Sequence, residues 1–125
     1  MNEEVKIEFR DDHVLVQLGS GYKFGPADSD EVWKRIRSLC DVHHTCRVLV
    51  EGLVPAGERN AADIVAAGER TAAVPNLWMA LHLADFVPTE QSELFKVIAA
   101  TRGVRVKFFA DRDDALQWLR SNAPS

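Results

Sequence analysis

The sequence predicts an α/β domain built on a mixed, mostly parallel five-stranded sheet with four helices, in the order β-β-α-β-α-β-α-β-α. Two alternating apolar runs joined by Asp11-Asp12 predict an opening antiparallel hairpin. Three further apolar runs, at 48–50, 77–84 and 104–108, recur at intervals of roughly 30 residues, the length of a strand-helix-strand unit. The last of them alternates, stops at an acidic turn and restarts with helical spacing through residue 119. That is a strand, a cap and a closing helix.

Each element has its own warrant. Val5, Ile7 and Phe9 alternate with Lys6, Glu8 and Arg10, the period of a half-buried strand, and Val14, Val16 and Leu18 alternate with Leu15 and Gln17 in a second. Gly19-Ser20-Gly21 ends it. Asp28, with Glu31 three residues on, fits an N-terminal capping box, and Trp33, Ile36, Leu39 and Cys40 then share one helix face. Residues 48–50 are apolar throughout, as in a strand covered on both sides. After a loop at 53–59, Asn60 caps a second helix whose Ala61, Ile64, Val65, Gly68 and Ala72 share a face small enough for close contact with the sheet. Pro75-Asn76 breaks that helix, and residues 77–84, the longest apolar run, predict a central strand with His82 its one polar residue. Pro88-Thr89-Glu90 starts a third helix carrying Leu94, Phe95, Ile98 and Arg102 on one face, and Gly103 suits the residue after its end. Val104, Val106 and Phe108 alternate with Arg105 and Lys107, a pattern for an edge strand with cations against edge pairing. Asp111 caps the last helix, which turns Ala115, Trp118 and Leu119 inward.

Composition narrows the function classes. At 125 residues the length fits one domain, 1–125, and 46% hydrophobic with 27% charged residues is ordinary globular composition. A formal charge of −4 and scattered lysines and arginines give no footprint for nucleic acid. No apolar run reaches the roughly 20 residues of a transmembrane segment, and the acidic opening is unlike a secretory signal, so a cytoplasmic location is expected. Two cysteines, Cys40 and Cys46, make no disulfide framework, in keeping with a reducing compartment.

The element order, and above all the closing stretch Val106-Lys-Phe-Phe-Ala-Asp-Arg-Asp-Asp-Ala-Leu-Gln-Trp-Leu119, resembles the STAS-like family related to the bacterial anti-sigma-factor antagonist SpoIIAA. Arg47-Val-Leu-Val-Glu51 and Gly103-Val-Arg-Val106 resemble its middle strand and its step into the last strand. The resemblance covers nearly the whole chain. It implies a small regulatory or ligand-binding module in bacteria, some relatives being compared to lipid-transfer domains, and not an enzyme. In the antagonists a phosphorylatable serine follows the middle strand; here residues 52–63 contain no Ser or Thr. The partner-switching role that rests on that serine is therefore not carried over.

The remaining constellations are read against simpler alternatives. Cys40, His43, His44 and Cys46 could supply a zinc set or a thiol nucleophile with a histidine, an alternative reading as a small enzyme or metal-binding protein. Their spacing matches no usual zinc finger, and a buried Cys40, a strand-opening Cys46 and histidines at a helix end explain them without a metal. The acidic Asp111, Asp113 and Asp114 are explained by capping, Trp33, Trp78 and Trp118 by core spacing, and His82 by a hydrogen-bonded place on a strand. The glycine loops at 19–21 and 52–57 lack the phosphate-binding endings that would define a nucleotide site. No catalytic residue, metal ligand or cofactor is assigned. In open α/β sheets ligands gather beyond the carboxyl ends of the strands. Tyr22, Phe24, Leu53, Val54 and Phe86, apolar residues in predicted loops there, are the candidate surface for a protein partner or a small apolar or anionic ligand. A homodimeric structural or regulatory subunit is a third reading.

Overall fold

A computed structural model describes residues 5–18, 26–53, 65, 68–74, 76–84 and 90–123. They form an α/β fold on one five-stranded mixed sheet with four helices: β1 (Val5–Arg10), β2 (His13–Leu18), α1 (Pro26–His43), β3 (Arg47–Leu53), α2, β4 (Trp78–Ala84), α3 (Glu90–Thr101), β5 (Arg105–Phe109) and α4 (Arg112–Asn122). Of α2 the described part is residue 65 and residues 68–70, which pass into the 3-10 turn Thr71–Ala73. Strand order follows the chain, β1-β2-β3-β4-β5, with β1 antiparallel to β2 and every later pair parallel. The hairpin turn needs a left-handed residue, supplied by Asp11 at φ 52°.

Consecutive parallel neighbours require crossovers of one hand, which put the connecting helices on one face. That face is the larger core, where Val14, Val16, Val48, Val50 and Met79 of the sheet meet Ile36 and Cys40 of α1, Ala99 of α3, and Val74 just after the 3-10 turn. The last helix has no further strand to reach and covers the other face. There Ala115 and Leu119 of α4 close over Leu15, Leu49 and Ala80, with Trp78, Phe109, Leu116 and Trp118 packed around them. Leu15 is wholly buried although the alternation of its strand points it away from Val14 and Val16; a strand under helices on both sides hides its pattern.

Several element ends differ from expectation. Helix α1 begins at Pro26, so Asp28 lies inside its first turn and is not the cap; proline is suited to that turn because its missing N–H has no intrahelical partner there. Strand β3 continues through Leu53, paired with Ala84, where a loop was expected. The middle of the sheet is β3, while β4 is interior but second from the edge. At the end of α2 the tighter 3-10 turn shifts the facing: Thr71 is fully buried, its Oγ1 donating to Gly68 O at 2.6 Å, and Ala72 is exposed. Arg102, at the end of the spacing that runs up to Gly103, is exposed and pairs with Glu69 at 2.9 Å. The predicted ends of α3 and α4 hold. Gly103 takes φ 79° while Val104 N–H donates to Ala99 O at 3.0 Å, and Asp111 Oδ1 accepts from Asp113 N–H at 2.8 Å. The caps predicted at Asn60 and at residues 88–89 lie outside the described residues.

The small residue at position 68 serves a helix contact and not the expected sheet contact. A methyl group there would stand 2.6 Å from Cγ2 and 2.8 Å from Cβ of Ile98 on α3. Gly68→Ala is therefore expected to lower stability by about 1–3 kcal/mol despite alanine's better helix propensity, measured by urea unfolding; an unchanged midpoint would show that α2 does not pack on α3. Among the described residues no helix is long and apolar enough to cross a membrane.

Candidate functional site

The four parallel strands end at one edge of the sheet, and on the α4 face three side chains from three elements meet there. Alternation along β3 sets Glu51 on the same side as Leu49, and alternation along β4 sets His82 on the same side as Ala80. The register then places Glu51 directly opposite His82, with Gln17 of β2 beyond Glu51 and Phe109 of β5 beyond His82. The third member, Arg112, is the first residue of α4, just behind the Asp111 cap.

His82 Nδ1 lies 3.0 Å from Glu51 Oε2. An ionised carboxylate only accepts, so Nδ1 is the donor of this pair, and Nε2 is the ring nitrogen that Glu51 does not engage. Arg112 Nε lies 3.3 Å from the same oxygen, an ion pair without hydrogen-bond alignment. The side chains are partly open to solvent, 15% for Glu51, 25% for His82 and 42% for Arg112. Both contacts fall on the Oε2 atom of Glu51. His82 Nε2 and the terminal nitrogens of Arg112 are not part of these two contacts. Gly52 allows the approach of β2 to β3 at this end, since a Cβ there would meet Leu18 Cβ at 3.0 Å.

The opposite end of the sheet holds a different cluster, built around the hairpin turn. Asp12 receives His13 Nδ1 at 3.0 Å, one terminal nitrogen of Arg47 at 3.2 Å and Arg120 Nε at 3.0 Å. Arg47, expected only to bound its strand, is buried and donates through its other terminal nitrogen to Ala123 O at 3.0 Å. Thr45 Oγ1 adds a bond to Asp12 O at 3.4 Å. Burial would raise the Asp12 carboxyl; the hydrogen bonds and charges of His13 and Arg120 outweigh it and hold the group below the usual carboxylate range. This network ties the hairpin, the start of β3 and the chain end together, which is a structural task.

The residues named from sequence fall as follows. Tyr22, Phe24, Val54 and Phe86 lie outside the described residues, and Leu53 is described as the last residue of β3. Cys40 is buried on the inner face of α1, and burial, with Cys46 and Asp41 adding, pushes its thiol up to about 12. Burial also raises the Cys46 thiol, Arg47 opposing in part. Both shifts disfavour the free thiolate that a nucleophile requires. His43 stacks on Phe9 with ring centroids 3.8 Å apart, and His44 turns at φ 52°. Among the described residues no group of three or more His, Cys, Asp and Glu could hold a metal ion. The pair missed from sequence is Glu51 with His82. Its signal was available: aligning the apolar runs 48–50 and 79–81 sets the first polar residue after each run opposite the other.

No protein-family model and no curated protein matches the chain. Among solved structures it is similar to an enoyl-CoA hydratase, EchA3, from Mycobacterium ulcerans Agy99, at 11% identity and a TM-score of 0.41. That match covers 62% of this chain and 42% of the other, less than half of the hydratase, and carries no argument about activity here.

Proposed function

We propose that the chain is a non-catalytic regulatory or ligand-binding module of the STAS-like type, which receives an anionic group of a small ligand or protein partner at the carboxyl edge of its sheet. The observation that supports this is the division of labour in the site. Glu51 Oε2 takes both His82 Nδ1 and Arg112, which leaves the second ring nitrogen of His82 and the rest of a partly exposed guanidinium outside those contacts. A hydrogen phosphate fits both, because it carries a hydroxyl as well as bare oxygens: it can bond to Nε2 while its oxygens accept from arginine. The apolar residues Tyr22, Phe24, Leu53, Val54 and Phe86 belong to the same proposed surface and would hold the remainder of the ligand or partner.

A second reading, a small acid–base enzyme, is favoured by the Glu51–His82 alignment, since a carboxylate on Nδ1 is what orients a histidine base. The Cys40 to Cys46 cluster lends it no support, because both thiols are held protonated by burial. The binding reading is tested by titrating labelled protein with inorganic phosphate and following the His82 ring and Arg112 Nε resonances. Millimolar binding is expected at both groups, lost in His82→Ala and in Arg112→Ala with unfolding midpoints little changed, since both side chains are partly exposed. Shifts confined to other surfaces, or none up to tens of millimolar, would remove the anion assignment.

A further inference from the structure

We propose that β1 pairs with β1 of a second copy, antiparallel about a two-fold axis at Ile7, joining two five-stranded sheets into one. In the described structure β1 lies at the sheet edge with β2 as its one strand neighbour, so among the described residues no strand pairs with its outer row of backbone groups. A two-fold normal to the sheet keeps each face on its own side, so the axis must pass through a residue and not between two. Two such positions keep most of β1 paired, and the charges choose between them.

With the axis at Ile7, Lys6 stands opposite Glu8 of the copy and Glu8 opposite its Lys6. On the helix-covered face Ile7 meets its own copy and Val5 meets Phe9; Val5 and Ile7 are buried and Phe9 is packed against the same core. Every cross-strand pair then matches, apolar on one face and opposite in charge on the other. With the axis at Glu8, two glutamates would face each other and Lys6 would face Arg10, both unfavourable. The internal Glu8–Arg10 ion pair, at 2.7 Å but with the side chains 34% and 49% exposed, is a weak competitor.

The other edge provides the contrast. Strand β5 paired with itself about Lys107 sets lysine against lysine, and about Val106 sets Arg105 against Lys107. One edge therefore repels its own copy, as charged edges commonly do, while the other is self-complementary. The groove between β1 and α1 beside this edge is lined by Glu31, Lys34 and Arg35 with Ile7, Ser38 and Leu39. The edge is separate from the Glu51–His82 site, so the pairing does not depend on what that site binds.

Sedimentation of the full chain is expected to give twice its 14.0 kDa mass. Glu8→Lys sets lysine against Lys6, and Lys6→Glu sets glutamate against Glu8; each is expected to weaken the dimer by roughly tenfold or more. An equimolar mixture of the two variants restores both charge pairs and should form the heterodimer, while the double variant Lys6→Glu, Glu8→Lys should dimerise with itself. Both positions are at least partly exposed, and thermal melts check that each variant is folded. A wild-type monomer at tens of micromolar, a dimer indifferent to both reversals, or a mixture that stays monomeric would each overturn the proposal.

Discussion

A chain ending after Ala110 is expected to lose its cooperative unfolding transition. Removing α4 strips the cover from one whole face of the sheet, where Leu15 and Leu49 are fully buried beneath Leu119. Burying each of those three leucines is worth about 2 kcal/mol. Trp118, packed at 5.4 Å from Trp78 and 5.7 Å from Phe109, adds to that. The loss is on the order of 6 kcal/mol or more, comparable to the roughly 5–15 kcal/mol that holds a domain folded. The truncation also deletes Arg120 and the Ala123 carbonyl, leaving Asp12 and Arg47 each short of a partner. Far-ultraviolet circular dichroism during heating, with near-ultraviolet signals as the measure of packing, should show a molten chain. A sharp transition retained by residues 1–110 would mean that α4 is an appendage and that the second core does not matter.

Most of the fold was legible because period, turn chemistry and length agreed. Val5, Ile7 and Phe9 alternate around a turn at Asp11-Asp12, Gly103 closes one helix and Asp111 opens another, and the structure has each where the pattern put it. The errors came where two environments share one residue. Leu15 reads as the outward member of an alternating strand, yet a helix far along the chain covers it. Ala72 reads as part of the inward helix face, but the 3-10 turn exposes it and brings Thr71 in, whose hydroxyl is satisfied at once by Gly68 O. The candidate site was less legible than the fold, since it depends on strand register: neither Glu51 nor His82 carries a motif, and their contact exists only because β3 and β4 are aligned as they are. Arg47 was hidden for a related reason. Its partners are a turn 35 residues before it and a carbonyl 76 residues after it, distances no local pattern spans.

That arginine and its carboxylate give the second large effect: Asp12→Ala should cost about 3–5 kcal/mol, the usual result of leaving a buried charge without its partner. The Arg47 side chain is 10% exposed and its Nε has no hydrogen-bond partner, so it cannot turn to water when Asp12 goes. Arg120, at 50% exposure, can, and its share of the loss is small. Asp12→Asn keeps an acceptor without the charge and should fall between alanine and the wild type. Replacing Arg47 by methionine in the Asp12→Ala background removes the stranded charge and should recover part of the loss, a non-additivity that identifies the pair. The Asp12 carboxylate has a pH signature as well, set against burial by the hydrogen bonds and charges of His13 and Arg120 and not by Arg47. Because the folded carboxyl is held below its unfolded value, the unfolded chain binds the proton more readily. The contribution is complete above the ordinary carboxylate pKa of about 4 and is lost as pH falls through the folded value. Wild-type stability should therefore fall more steeply than that of Asp12→Ala as pH drops from about 5 toward 2, and urea midpoints across that range measure it. Parallel acid limbs for the two proteins would show that the Asp12 cluster does not hold the hairpin to the chain end.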